Sequence, residues 1–230
     1  FIGPKKDISK DEFKKLKDLR SLGVNFFLFL DPFFGDNKFT NFKKFIKQWG
    51  VDLLPGYIKV EQNYVTGSKG LAPIYSRENI FLNDNFSVER LFFPYTTVVR
   101  SEKSNRNKAF LGIYNFGKVF QVNSLDSSSD SILSRDELSV TSLGVAVDKV
   151  FDRQKSKLIV MGNASFLQNR FFNLMDSKEI FHKITSWATM SPVLKSTNIP
   201  LNIKTKVNRS FLLSKSSFII GSVFLLLFNY

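Results

Sequence analysis

The sequence predicts an α/β fold: an open, mostly parallel sheet with a strand-rich middle insertion and a C-terminal membrane helix. Three observations lead there. Helical and strand-like hydrophobic periods alternate at both ends of the first 190 residues. The stretches VNFFLFLDP (24–32) and KLIVM (157–161) are continuously apolar, as strands covered on both faces must be. From Ser216 to Phe228 the chain carries no charge.

The elements follow in order. Ser9-Lys10-Asp11-Glu12 reads as a capping box opening a helix with Phe13, Leu16 and Leu19 on one face, and Gly23 is placed to stop it. The apolar run 24–32 is a central strand ending at Asp31-Pro32. A second helix places Phe39, Phe42, Ile46 and Trp49 at helical spacing and closes at Gly50. From Val51 to about Ser139 the pattern changes to short runs, such as Tyr57 to Val65, Leu91 to Val99, Phe110 to Tyr114 and Lys118 to Val122, set between turn-rich pieces. One of these, the Ser/Asp loop at 124–131, has no glycine to let amides approach a phosphate, so it reads as a solvated connection. A βα unit then returns: strands at Leu143 to Val150 and Lys157 to Met161, the turn Gly162 to Phe166, and a helix capped by Asp176 and Glu179 with Ile180, Phe181, Ile184, Trp187 and Ala188 on one face.

The tail carries its own expectation. A helix from Phe211 to Tyr230 would run about 30 Å if Lys215 snorkels, close to a bilayer's hydrocarbon thickness. Residues 191–210 read as a juxtamembrane linker with Lys204, Lys206 and Arg209 near the lipid headgroups, and 1–190 as the domain it tethers. The span is short, and the chain starts at Phe1 without Met, so further residues are expected at both ends.

Charge and composition narrow the function classes. The net charge of +13 is uneven: residues 1–50 hold 11 basic against 6 acidic side chains, 51–189 hold 17 against 14, and 190–230 hold 5 against none. No recognisable nucleic-acid module accompanies it, so nucleic acid is not an expected partner. The chain has no cysteine, which removes disulfides, thiolate metal sites and a thiol nucleophile. His182 is the single histidine and falls on the polar side of the last helix. Nucleophile-elbow, phosphate-loop, dinucleotide and metal-ligand spacings are all missing. Neither catalysis nor a metal or other cofactor is expected.

In open α/β sheets ligands gather beyond the carboxyl ends of the strands. That rule selects Gly3 to Lys5, Asp31 to Phe34 and Gly162 to Asn169. Within these segments Asp31, Phe33, Phe34, Asn163, Ser165 and Asn169 are the candidate ligand or partner surface.

The order of landmarks is more specific than any single one. Gly-Pro, a capped helix and a strand ending Leu-Asp-Pro fill residues 1–32, followed by Trp49-Gly50-Val51, Leu143-Gly144-Val145-Ala146-Val147, IVMGNASFLQN at 159–169 and a helix ending Ser186-Trp187-Ala188. Over essentially its whole length this resembles the gliding-motility-type auxiliary component of ABC transport systems. The resemblance implies a flavodoxin-like or glutamine-amidotransferase-like domain held outside the cytoplasm at the inner membrane. It implies a non-catalytic subunit working beside a separate ATPase and permease. Where that family's late turn carries acidic residues, this chain has Asn163 and Ser165. Two other functions stay open at this stage: an envelope carbohydrate-binding module, suggested by 26 Phe, 6 Tyr and 2 Trp, and an amidotransferase-like hydrolase, for which, without a cysteine or a positioned histidine, no agent to activate a nucleophile is visible.

Overall fold

A computed structural model describes residues 1–35, 38–76, 90–102, 107–113, 116–122, 130–138, 141–173 and 175–189. The linker and membrane helix expected at 191–230, and most of the Ser/Asp loop, lie outside these residues. Among the described residues no helix is long and apolar enough to cross a membrane.

The first helix, α1 (Lys10–Ser21), starts as the sequence requires. Ser9 Oγ accepts from Glu12 N–H, and the Glu12 carboxylate accepts from Ser9 N–H at 2.7 Å. Hydrogen bonding to the carboxylate from Ser9, first from its main-chain N–H and then from its side chain, holds the Glu12 carboxyl below its ordinary pKa. Strand β1 (Phe26–Phe29) follows, then α2 (Thr40–Lys47), whose first free amides donate to Asp7: Asn41 N–H at 2.7 Å and Phe42 N–H at 3.1 Å. Next come β2 (Val51–Leu53), β3 (Tyr57–Val60), β4 (Ile74–Ser76), β5 (Arg90–Phe92), β6 (Val99–Ser101), β7 (Asn107–Gly112), β8 (Val119–Val122), β9 (Asp130–Ile132) and the short α3 (Arg135–Leu138). The described residues end with β10 (Thr141–Phe151), β11 (Gln154–Met161), a 3-10 turn at Ser165–Leu167, α4 (Asn169–Phe172) and α5 (Ser177–Thr189).

The fold is mixed α/β, but the sheet is not mostly parallel. Its order is β1-β11-β10-β6-β2, with β7 also against β10. Among the described strands of this sheet, β1 and β11 pair in parallel, Phe26 opposite Leu158 through Phe29 opposite Met161, and the other ladders are antiparallel. The expectation failed at Phe151 to Gln154. There Asp152 (φ 46°) and Arg153 (φ 70°) make a two-residue turn that folds β10 directly back on β11. Left-handed geometry at both central residues is the hairpin turn that matches strand twist, usually signalled by Asn-Gly. Here Asp152 suits the first position, but Arg153 stands where glycine would complete the signal. The middle region is not a simple insertion either: β2, β6 and β7 belong to the main sheet, while β3-β8-β9 and β4-β5 form two small antiparallel sheets.

Strand alternation explains the continuous apolar runs. Phe26, Leu28, Leu158, Val160, Val145 and Val147 face a core shared with Leu16, Phe42, Ile46 and Trp49 of the α1/α2 side. Phe29, Ile159, Met161 and Ala146 face the opposite core, with Phe166, Ile180 and Ile184 under α5. Both faces are covered, so both must be greasy. Much of the phenylalanine content goes into edge-to-face ring contacts, such as Phe26 on Phe45 at 5.1 Å and Trp49 on Phe151 at 4.7 Å. Arg20 lies in the same layer with its guanidinium 3.9 Å from the Phe151 ring centre, and burial lowers its pKa. The last turn of α5 is tied to the sheet: Asn25 Nδ2 donates to Ala188 C=O at 2.7 Å, and Lys157 Nζ donates to Trp187 C=O. A cation on terminal carbonyls complements the helix dipole, although desolvation lowers the Lys157 pKa.

Candidate functional site

Parallel pairing of β1 with β11 brings their carboxyl ends to one rim, so Asp31 and the turn after Met161 emerge side by side. Asp31 Oδ1 accepts from Ala164 N–H at 3.3 Å and from Ser165 Oγ at 3.2 Å, and its Oδ2 accepts from Lys5 Nζ at 3.2 Å. The carboxylate side chain is 26% exposed while Lys5 is open to solvent, so this ion pair adds little stability and serves mainly to orient. The third segment selected from the sequence arrives beside them: Ile2 bridges Phe29, and a Cβ on Gly3 would meet Asp31 and Ala164 at contact distance.

Beneath this clamp the turn is locked from inside. Asn163 is 1% exposed, donates through Nδ2 to Pro94 C=O at 2.7 Å and Tyr95 C=O at 3.3 Å, and accepts at Oδ1 from Phe166 N–H at 3.0 Å. Gly162 packs so closely that a Cβ there would lie 2.0 Å from Thr97 C=O, which is why glycine stands at this position. Thr97 N–H completes the junction by donating to Gly162 C=O at 2.7 Å.

The six candidate residues therefore divide. Asp31 and Ser165 touch each other on the rim. Asn163 and Phe33 are buried, Phe33 against Phe39 with ring centres 5.3 Å apart, so they shape the surface from below. Phe34 is half-buried with its ring edge-on to Tyr57 at 6.0 Å. Asn169 is exposed at the first position of α4. His182 is exposed on α5, as its helical position predicted.

Two residues of the rim escaped sequence reasoning. Tyr57 and Tyr95 sit edge-to-face at 5.9 Å and extend the row begun by Phe34. Tyr95 is 54% exposed and holds φ 52°, a left-handed geometry uncommon for a bulky residue. Two main-chain bonds keep it there, its own N–H to Leu71 C=O at 2.9 Å and the bond from Asn163. The sequence reading placed Tyr95 inside the strand-like run Leu91 to Val99, and the contacts to Tyr57 and Asn163 that fix it span tens of residues.

Chemically, the rim offers one carboxylate already engaged by three donors, a hydroxyl pointed at that carboxylate, an ammonium and a row of aromatic edges. Ser165 donates to Asp31, and no imidazole stands beside it to take its proton. Among the described residues no group of three or more His, Asp or Glu side chains could hold a metal ion. The arrangement suits contact recognition by stacking and hydrogen bonding.

No protein-family model matches the chain, and no curated protein matches it. Among solved structures it is similar to one described as the "mmIFT52 N-terminal domain", with 15% identity over 87% of this chain and 77% of that one and a TM-score of 0.57. The likeness is one of fold.

Proposed function

We propose that this domain is a non-catalytic recognition module, carried as a membrane-anchored auxiliary subunit of an ABC-type transport complex. The observation that carries the recognition half is the rim itself: Asp31 is tied down by Lys5, Ala164 and Ser165, while Tyr95 stands exposed in a fixed, left-handed conformation beside Tyr57 and Phe34. Spending backbone strain to display an aromatic ring is characteristic of contact surfaces. The transport half rests on the ordered landmarks of the sequence and on the apolar tail. It places the domain outside the cytoplasm, against the inner membrane, with ATPase and permease subunits as partners.

Affinity purification of the full-length protein from its native membrane tests this. Recovery of an ATP-binding cassette ATPase and a permease, reduced when Tyr95→Ala and Phe34→Ala are combined, is the expected result. A protein that leaves the membrane with salt alone and brings down neither subunit contradicts it.

The same aromatic row favours one second reading, an envelope carbohydrate-binding module, since sugars stack on exposed tyrosine faces. Retention of the chain on insoluble envelope polysaccharide, lost in Tyr95→Ala, would support that reading over the first.

A further inference from the structure

α5 ends on the side of the sheet opposite the Asp31 rim. Its last turn is held at the start of β1, where Asn25 Nδ2 donates to Ala188 C=O at 2.7 Å and Lys157 Nζ donates to Trp187 C=O. Asp31 stands past the other end of β1, about 20 Å away along an extended chain.

That end exposes aliphatic side chains that its local structure does not call for. α1 stops in a Schellman motif: Gly23, at φ 81°, donates its N–H to Arg20 C=O at 2.9 Å, and Val24 N–H donates to Leu19 C=O at 3.1 Å. The motif accounts for an apolar pair at Leu19 and Val24, both exposed. It asks for nothing apolar at the C-cap, yet Leu22 stands there 74% exposed. Gly23 lies against the β10–β11 hairpin, where a Cβ on it would meet Lys155 C=O at 3.3 Å and Gln154 Cβ at 3.5 Å. Lys155 pairs across the hairpin with Val150, itself 58% exposed. Single exposed aliphatic side chains are ordinary, but four around one end form a surface. Charge there is close to balanced: Lys155 Nζ pairs with Asp148 at 2.5 Å, Asp152 accepts from Ser21 Oγ, and Arg153 is exposed on the turn.

We propose that this end, built from Leu19, Leu22, Val24 and Val150, is a lipid-facing surface that lays the domain on a bilayer with the Asp31 rim turned away from it. Where the chain goes next selects the occupant. From Thr189 it continues through Lys204, Lys206 and Arg209 into the uncharged run 216–228. The inference rests on the reading of that run as a membrane anchor, which makes the bilayer the apolar phase nearest this end. A linker over 191–210 lets the domain turn, so the tether supplies proximity and the exposed side chains choose the face. Leu22 and Val150 reach the acyl boundary, while Arg153 and Lys155 keep their charged heads among the headgroups. Phe34, Tyr57 and Tyr95 then stand clear of lipid, open to the part of a partner that projects from the membrane.

The chain has no cysteine, so the full chain can carry one introduced cysteine at a time, labelled with nitrobenzoxadiazole and reconstituted in vesicles of phosphatidylethanolamine and phosphatidylglycerol. Lipids bearing a nitroxide on the acyl chain should quench the label at Leu22→Cys and Val150→Cys and leave it bright at Tyr95→Cys. Leu226→Cys reports the anchor separately. With the label at Gln154→Cys, adding Leu22→Asp and Val150→Asp should reduce quenching by about threefold or more, with circular dichroism confirming an unchanged fold. The same two substitutions should leave quenching at Leu226→Cys as it was. Quenching at 226 without quenching at 22 and 150 would overturn the lipid-facing end and leave the anchor standing. Quenching at 22 and 150 without quenching at 226 would support this end and contradict the anchor. Quenching at 95 as strong as at 22, or at none of the four positions, would overturn the proposal.

Discussion

Replacing Asn163 with alanine separates a structural keystone from a ligand-contacting residue. The side chain makes three hydrogen bonds to main-chain groups, two as donor to Pro94 and Tyr95 and one as acceptor from Phe166, and it is 1% exposed. A typical internal hydrogen bond contributes about 1 kcal/mol net, and a buried group left without a partner costs about 1–3 kcal/mol. Tyr95 is open enough for its carbonyl to find water in the variant, whereas the Phe166 amide is enclosed. The expected loss is therefore about 3 kcal/mol. For a domain of this size that lowers Tm by roughly 6–12 °C. Urea denaturation followed by tryptophan fluorescence and circular dichroism measures it, with Ser165→Ala as the comparison. Ser165 contributes one hydrogen bond from a partly exposed position, so its removal should cost no more than about 1 kcal/mol. Asn163→Asp adds a further check: it keeps an acceptor for Phe166 but sets a carboxylate against two carbonyls, and should be at least as damaging as alanine. An Asn163→Ala protein within about 1 kcal/mol of the parent would refute the assignment of Asn163 to the support of the rim.

Gly162→Ala puts a methyl group 2.0 Å from Thr97 C=O, so a loss of about 3 kcal/mol or failure to fold is expected, read by soluble yield and thermal melting. Arg153→Gly relieves a positive φ in the β10–β11 turn and should raise stability by about 0.5–1 kcal/mol, a gain measurable as a higher urea midpoint. The Ser9–Glu12 cap gives α1 a pH dependence. Because the folded pKa of Glu12 lies below its ordinary value, the carboxylate's contribution is complete above the ordinary glutamate pKa of 4.5 and disappears as pH falls through the lowered one. Glu12→Gln should flatten that part of the acid-unfolding curve, and an unchanged curve would show that the box does not form.

Much of the rim was legible in the sequence because local rules place it. The capping box, the apolar runs and the glycine turn set α1, β1, β11 and the position of Asp31, and the rule that ligands gather at strand ends put Asp31 and Ser165 in one segment set. The antiparallel return of β10 onto β11 was not legible, because Arg153 in the Asp152-Arg153 hairpin is not a residue that signals a tight turn. A helical crossover and a hairpin leave the same two apolar runs behind. Phe33 and Asn163 were misplaced for a related reason. Sequence locates them at a strand end but cannot say which way the side chain turns, and here Phe33 turns into a cluster of rings and Asn163 into main-chain carbonyls. Tyr57 and Tyr95 were missed because their meeting depends on β3 passing next to the loop before β6, a tertiary event with no local trace.

Site-specific photocrosslinking in the native membrane tests the recognition reading most directly. A photoreactive phenylalanine analogue is placed at Tyr95, and a second at Asp18, exposed on α1, serves as the control position. Capture of the permease subunit at position 95 and not at position 18 is the expected result. Equal capture at both positions, or capture at 18 alone, would contradict a partner surface at the ends of β1 and β11.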